Sequence, residues 1–236
     1  MGPMTSGDGD RDATDLATDL AALVERARGL VARTAAAGGG RAVLGITGAP
    51  GAGKTTLVAR LVAELAEHPP DGAAADWVAH VPMDGYHLAD AQLDRLGLRH
   101  RKGAPETFDA AGYAAMLERV RTDTTETVYA PGFERDLEQP IAAALAVPPS
   151  ARLVITEGNY LLLDEPAWRR VRAAMDEVWY CDLDEQTRLE RLVARHVAFG
   201  KEPDAAALWV DRVDQANAAL VAATRARADL VVTTPA

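Results

Sequence analysis

The chain of 236 residues contains one cysteine, Cys181, so no internal disulfide framework and no metal-binding cysteine cluster can form. Cys181 stands in "EVWYCDL", an apolar run that reads as a buried strand, and a packed core thiol is expected there rather than a reactive one. No apolar run approaches the ~18 residues that a membrane span needs. No basic segment followed by an apolar stretch opens the sequence, so the expectation is a cytoplasmic protein with no membrane partner. The opening "MGPMTS" has the outline of a myristoylation pattern, but residues 1–10, rich in Gly, Asp and Ser, read more simply as a disordered tail. Positive charge is in short supply: 25 Lys and Arg against 35 Asp and Glu leave a net charge of −10. That is the wrong sign for a general nucleic-acid binder. Aromatic residues make up 5%, and Trp77, Trp168, Trp179 and Trp209 all fall in predicted elements, where core positions are expected. His68, His80 and His100 show no metal-ligand spacing, so no zinc is expected.

What remains is ordinary globular composition, 48% hydrophobic and 25% charged, in a chain long enough for one α/β domain. Helical periodicity over 12–36 joins Leu16, Leu20, Leu23, Val24, Leu30 and Val31, and "AAAGGG" ends it. Strands are expected at 41–47, 76–84, 126–133, 151–163 with its exit loop, 177–183 and 228–234. Helices are expected at 54–68, 110–120, 166–174, 185–199 and 204–226, the first stopped by Pro69 and Pro70. Residues 85–108 read as irregular, with a short helix over 89–96. Strands alternating with helices imply a parallel sheet covered on both faces. The division is a tail (1–10), an N-terminal helix (11–40) and a main domain (41–236) carrying an insert at about 85–140 and a lid at about 188–204.

Between the first predicted strand of that domain and the helix after it lies "GITGAPGAGKTTL". Gly48, Ala49, Pro50, Gly51, Ala52, Gly53, Lys54 and Thr55 match G-x4-G-K-[ST] in full, in the strand-to-helix context the motif needs. Glycines let backbone N–H groups turn inward around phosphates, and the helix N-terminus adds positive field. Lys54 is placed to reach the β- and γ-phosphates, Thr55 to ligate Mg²⁺, and Thr56 to stand beside them. The cofactors expected are therefore ATP and Mg²⁺. No N-K-x-D or well-placed D-x-x-G signals a switch GTPase. Asp84, in "PMDGYH", and Glu157, in "TEGNY", each leave the carboxyl end of a strand, where open α/β sheets gather their chemistry. One would orient the acceptor hydroxyl and one would help hold Mg²⁺; which is the base stays open between them. Tyr86 and His87 follow Asp84 and are candidates to line the acceptor pocket. Arg188, Arg191 and Arg195 share a helix face; Arg195 and Lys201, then Arg191, are placed to close on the phosphates.

The ordered set "GAPGAGKTT", "MDGYH", "KGAPETFD", "TEGNYLLL" and "TRLERLVARH" resembles the uridine kinase, pantothenate kinase and phosphoribulokinase group of P-loop kinases, and most closely its bacterial uridine-kinase-like and fructose-kinase-like branch. The resemblance runs from about residue 41 to the end. It implies a three-layer P-loop fold with a five-stranded parallel core in the order 2-3-1-4-5, an acceptor site beside Asp84 and an arginine lid. It further implies transfer of the γ-phosphoryl group to a hydroxyl of a small metabolite: a nucleoside, a sugar or a pantothenate-like compound. Uridine kinases carry an Asp two residues before the Pro of the third segment; here that position is Gly103. The acceptor loop "YAPGFERDLEQP" offers Phe133, Glu134 and Arg135 as acceptor contacts. The alternative is a P-loop NTPase with a chaperone or regulatory role and no small-molecule acceptor. A homodimer stays open.

Overall fold

The computed structural model describes residues 16–17 and 19–234; the expected tail lies outside the described residues. Eight strands follow in chain order: β1 (Leu16–Ala17), β2 (Ala42–Thr47), β3 (Val78–His80), β4 (Val128–Glu134), β5 (Gln139–Val147), β6 (Leu153–Glu157), β7 (Glu177–Asp182) and β8 (Leu230–Thr233). The helices are α1 (Leu20–Ala36), α2 (Lys54–Glu67), α3 (Asp90–Leu96), α4 (Ala110–Thr122), α5 (Pro166–Ala173), α6 (Glu185–Ala198), α7 (Pro203–Trp209) and α8 (Gln215–Ala222).

Every residue of β2 and β6 is buried, as a parallel sheet covered on both faces requires. Alternation sorts their side chains into two cores. Val43, Val154, Val178 and Val231 pack with Tyr113 and Leu117 of α4 and Trp168 of α5. Leu44, Ile46, Ile155, Trp179 and Val232 pack on the opposite face with Leu23 and Leu30 of α1 and Leu57 and Leu61 of α2. Each such side chain, fully buried, contributes about 1.5–3 kcal/mol over leaving it in water. The sheet order is β1-β8-β7-β2-β6-β3, with every pair parallel. Counted among β2, β3, β6, β7 and β8, this is the expected 2-3-1-4-5, and β1 adds a sixth strand at the β8 edge. Leu16 therefore sits in a strand, not in the first helix. Helix α1 begins only at Leu20, where the Asp19 side chain accepts a hydrogen bond from the Ala21 N–H at 3.0 Å and caps it.

Further expectations change. The strand expected over 76–84 is short, because Met83–Tyr86 forms a 3₁₀ turn. The segment expected to run from a strand into a loop is a hairpin: β5 pairs antiparallel with β4. "QPIAAALAV" neither alternates nor carries β-branched residues along most of its length, so its strand state comes from pairing rather than propensity. The register breaks where Pro131 offers no N–H: Ala130 pairs with Leu145 and Gly132 with Ile141, leaving Ala142–Ala144 as a bulge. The hairpin thus runs to Val147. The helix expected over 204–226 is α7 and α8 joined by a π turn at Val210–Asp214. Trp77, Trp168 and Trp179 are buried, but Trp209 is only half-buried.

Arg41, immediately before β2, is 1% exposed. Its guanidinium donates to the carbonyls of Ala151 (3.0 Å), Val120 (2.9 Å), Pro148 (2.8 Å) and Asp123, tying the root of the sheet to α4 and β5. A buried cation needs that many acceptors to offset its lost hydration.

Candidate active site

Strand β2 ends at Thr47, and the chain turns through Gly48–Gly53 into α2. Gly51 has φ +81°, and a Cβ there would meet Leu192 Cγ at 2.8 Å and the Arg188 carbonyl oxygen at 3.0 Å. The loop and α6 approach this closely only because residue 51 is glycine. Gly53 caps α2 with no side-chain acceptor for the first-turn N–H groups. Those donors and the positive helix end are the elements of an anion cradle. The Lys54 ammonium donates to the carbonyls of Gly48 at 2.9 Å and Ala49 at 3.0 Å. Burial pushes its pKa below the ordinary lysine value, while the Glu157 and Asp84 carboxylates oppose the shift.

Glu157 closes β6, beside β2. Its Oε2 accepts from Thr55 Oγ1 at 3.0 Å, and its Oε1 lies 3.6 Å from His80 Nε2. Burial pushes the Glu157 carboxyl above the usual range, against the pull of Lys54 and the Thr55 hydroxyl. A hydroxyl and a carboxylate, both hard oxygen donors, meet here beside the phosphate cradle. This donor set fits Mg²⁺.

Asp84 stands on the 3₁₀ turn after β3, its side chain 42% exposed and its Oδ2 3.7 Å from Arg135 Nη2. The turn is wedged against the hairpin: a Cβ on Gly85 would strike the Pro131 carbonyl oxygen. His87 Nδ1 sits 2.8 Å from the Asp84 carbonyl oxygen, with its ring between Phe108 (4.0 Å) and Phe133 (4.8 Å). Tyr86 is buried with its ring 4.8 Å from Tyr113, and its hydroxyl has no hydrogen-bond partner. Burial pushes that phenol well above its ordinary pKa.

The cations of residues 99–102 are paired within the fold. Lys102 pairs with Asp90 at 2.8 Å, donates to the Glu138 carbonyl and lies 5.6 Å over the Phe133 ring; Arg99 pairs with Asp90 at 2.8 Å and Arg101 with Glu106 at 2.7 Å. The Lys102 contacts tie this segment to the hairpin tip.

A cavity of about 520 Å³ opens over the cradle. Gly51, Gly53, Lys54, Thr55, Thr56 and Leu57 form its floor, and Arg60, Arg135, Arg191, Leu192, Arg195, Phe199 and Thr234 its walls. Five of these residues are cations and none is a carboxylate, a lining suited to a polyphosphate. Arg60, Phe199 and Thr234 were not foreseen. Arg60 lies four residues after Thr56, so helical spacing alone places it on the same face. Arg135, expected to meet the acceptor, faces this cavity from the hairpin. Lys201, expected near the phosphates, is outside this lining and lies 5.0 Å over the Trp209 ring. Arg188 is buried, donating to the Pro50 carbonyl at 3.4 Å and to Gln215. It braces α6 against the loop. Ala49 and Ala52 are buried in the loop itself. Cys181 is buried beneath it, its thiol pushed up to about 12 by burial.

A Schizosaccharomyces pombe protein, named a candidate uridine kinase, is 31% identical over 198 residues, which span 81% of this chain and 83% of that one. The chain belongs to the uridine-kinase-like P-loop kinases. The ATP-dependent kinase-like protein notR' of Aspergillus versicolor is 40% identical over 132 residues, 53% of this chain and 77% of that one. A crystal structure from Silicibacter sp. TM1040, described as a candidate fructose transport system kinase, superposes with a TM-score of 0.78 at 38% identity, covering 92% of this chain and all of that one. Residues 13–83 match the family model of the methylmalonyl-CoA mutase-associated GTPase MeaB, a stretch that holds the phosphate loop and ends before Asp84. Among the described residues no helix is long and apolar enough to cross a membrane.

Proposed function

We propose that this uridine-kinase-like protein transfers the γ-phosphoryl group of ATP, with Mg²⁺, to a hydroxyl of a small metabolite. The observation that carries the reading is the pairing of Asp84 with Arg135. A half-exposed carboxylate on the 3₁₀ turn after β3 lies 3.7 Å from Arg135, a hairpin residue that lines the cavity over the phosphate loop. Asp84 would orient the acceptor hydroxyl and take its proton. Lys54 and the α2 N-terminus would hold the phosphates. Thr55 and Glu157 would hold Mg²⁺, which when bound offsets the charge of the β- and γ-oxygens. Phe133, His87 and the unpartnered Tyr86 hydroxyl would line the acceptor side, and α6 would close from above.

A second reading, an NTPase acting on a protein partner, draws on the MeaB match over residues 13–83. Turnover of ATP and GTP, each measured with and without a panel of nucleosides, sugars and hydroxy acids, separates the two. The kinase reading expects little turnover alone and strong stimulation by one acceptor. Turnover that ignores every acceptor favours the NTPase.

The lid carries its own expectation. Arg195→Ala should lower kcat more than it raises KM for ATP, because charge builds on the transferring group as it leaves. Steady-state kinetics at saturating acceptor check this. An unchanged kcat with weakened ATP binding would confine Arg195 to holding the ground-state nucleotide.

A further inference from the structure

Arg135 reaches the phosphate cavity from an unexpected direction. Its cationic neighbours in that lining, Lys54, Arg60, Arg191 and Arg195, come from α2 and from α6, on the nucleotide side. Arg135 comes from the β4–β5 tip, on the acceptor side, one residue past the end of β4. The tip is held by three contacts: Lys102 bonds Asp90 and the Glu138 carbonyl, Gln139 accepts from the Asp90 N–H at 3.1 Å, and the Phe133 ring packs tilted against His87 at 4.8 Å. The backbone that carries Arg135 is thus anchored, while its side chain is 55% exposed.

Its resting partner holds it weakly. The contact to Asp84 is a single one at 3.7 Å between two half-exposed groups, and such pairs contribute little. A guanidinium makes stronger, forked hydrogen bonds to phosphate oxygens.

We propose that Arg135 is a phosphoryl-binding residue that exchanges partners: it pairs with Asp84 before nucleotide binds and moves to the γ-phosphate afterwards. The exchange does two things at once. It places a cation on the far side of the transferring group from Arg191 and Arg195, and it uncovers the Asp84 carboxylate for the acceptor hydroxyl. Nucleotide binding would then prepare the base. This rests on the kinase reading for its consequence but not for its test.

The test is calorimetric titration of the full chain with Mg²⁺ and either ATP or ADP, for wild type, Arg135→Ala and Arg135→Lys. An exposed hairpin-tip side chain should be removable without loss of fold, and an unchanged Tm verifies it. The expected result is an ATP affinity weakened about tenfold or more in Arg135→Ala, the scale of a lost charge-assisted hydrogen bond, with ADP affinity unchanged and Arg135→Lys in between. Equal weakening for ATP and ADP would overturn the proposal, since the contact would then lie on the α- or β-phosphate. Unchanged affinity for both would overturn it too, and a raised acceptor KM in that variant would assign Arg135 to the acceptor instead. Because ATP and ADP binding needs no acceptor, failure of the kinase reading leaves this comparison intact.

Discussion

Lys54→Ala should abolish phosphoryl transfer while the protein stays folded. The hydrogen bonds of the ammonium go to backbone carbonyls of the phosphate loop, those of Gly48 and Ala49, at 2.9 and 3.0 Å, where it waits at the floor of the cavity. With a polyphosphate present, the nearest anions are those of the ligand, and the energy the ammonium supplies is largest when charge peaks on the transferring group. Removing one preorganised donor of that kind costs about 10²–10³ in kcat, and Lys54 carries a full charge besides, so a loss at or beyond the upper end is expected. Burial disfavours its ammonium form in the free protein, so its loss should not lower the Tm of the ligand-free chain. Single-turnover kinetics alongside thermal melts check both halves. Near-normal activity in a variant with an unchanged Tm would remove Lys54 from the mechanism.

Asp84→Asn should lower kcat on the order of 10²-fold or more, the range for losing a general base, with Mg²⁺-ATP affinity nearly unchanged. The amide keeps the shape of the carboxylate but cannot take the acceptor proton. The position supports this division of labour. Asp84 is on the 3₁₀ turn after β3, whereas the carboxylate that meets the Thr55 hydroxyl is Glu157. Calorimetry with Mg²⁺-ATP is the deciding readout. If affinity collapses with kcat, Asp84 is chiefly a metal or nucleotide group, and Glu157 becomes the candidate base.

The parts of this site that sequence made legible are those where one local rule governs. The loop 48–55 needs only glycines in a strand-to-helix turn, so its cradle was readable down to the hydroxyl of Thr55. Glu157 ends its strand as expected, in the position where open parallel sheets gather their chemistry, whereas Asp84 stands on the 3₁₀ turn four residues past the end of its strand. The strand order came from the family likeness, not from periodicity, which carries no information about which strands pair. What stayed hidden depends on contacts distant in sequence. β5 is an alanine-rich segment whose strand state comes from β4, and without it Arg135 could not be placed at the cavity. The pairs that occupy Arg99, Arg101 and Lys102 require the folded positions of Asp90 and Glu106. Leu16 obeyed the helical spacing and still fell in a strand, because the Asp19 cap starts the helix after it.

The measurement that tests the account most directly is product analysis after incubation with ATP, Mg²⁺ and each acceptor of the panel in turn, followed by mass spectrometry and phosphorus NMR. The account predicts that one acceptor gains a phosphoryl group as a phosphomonoester, in amounts equal to the ADP formed, with little free phosphate. ADP accompanied only by free phosphate, whatever small molecule is present, would contradict it.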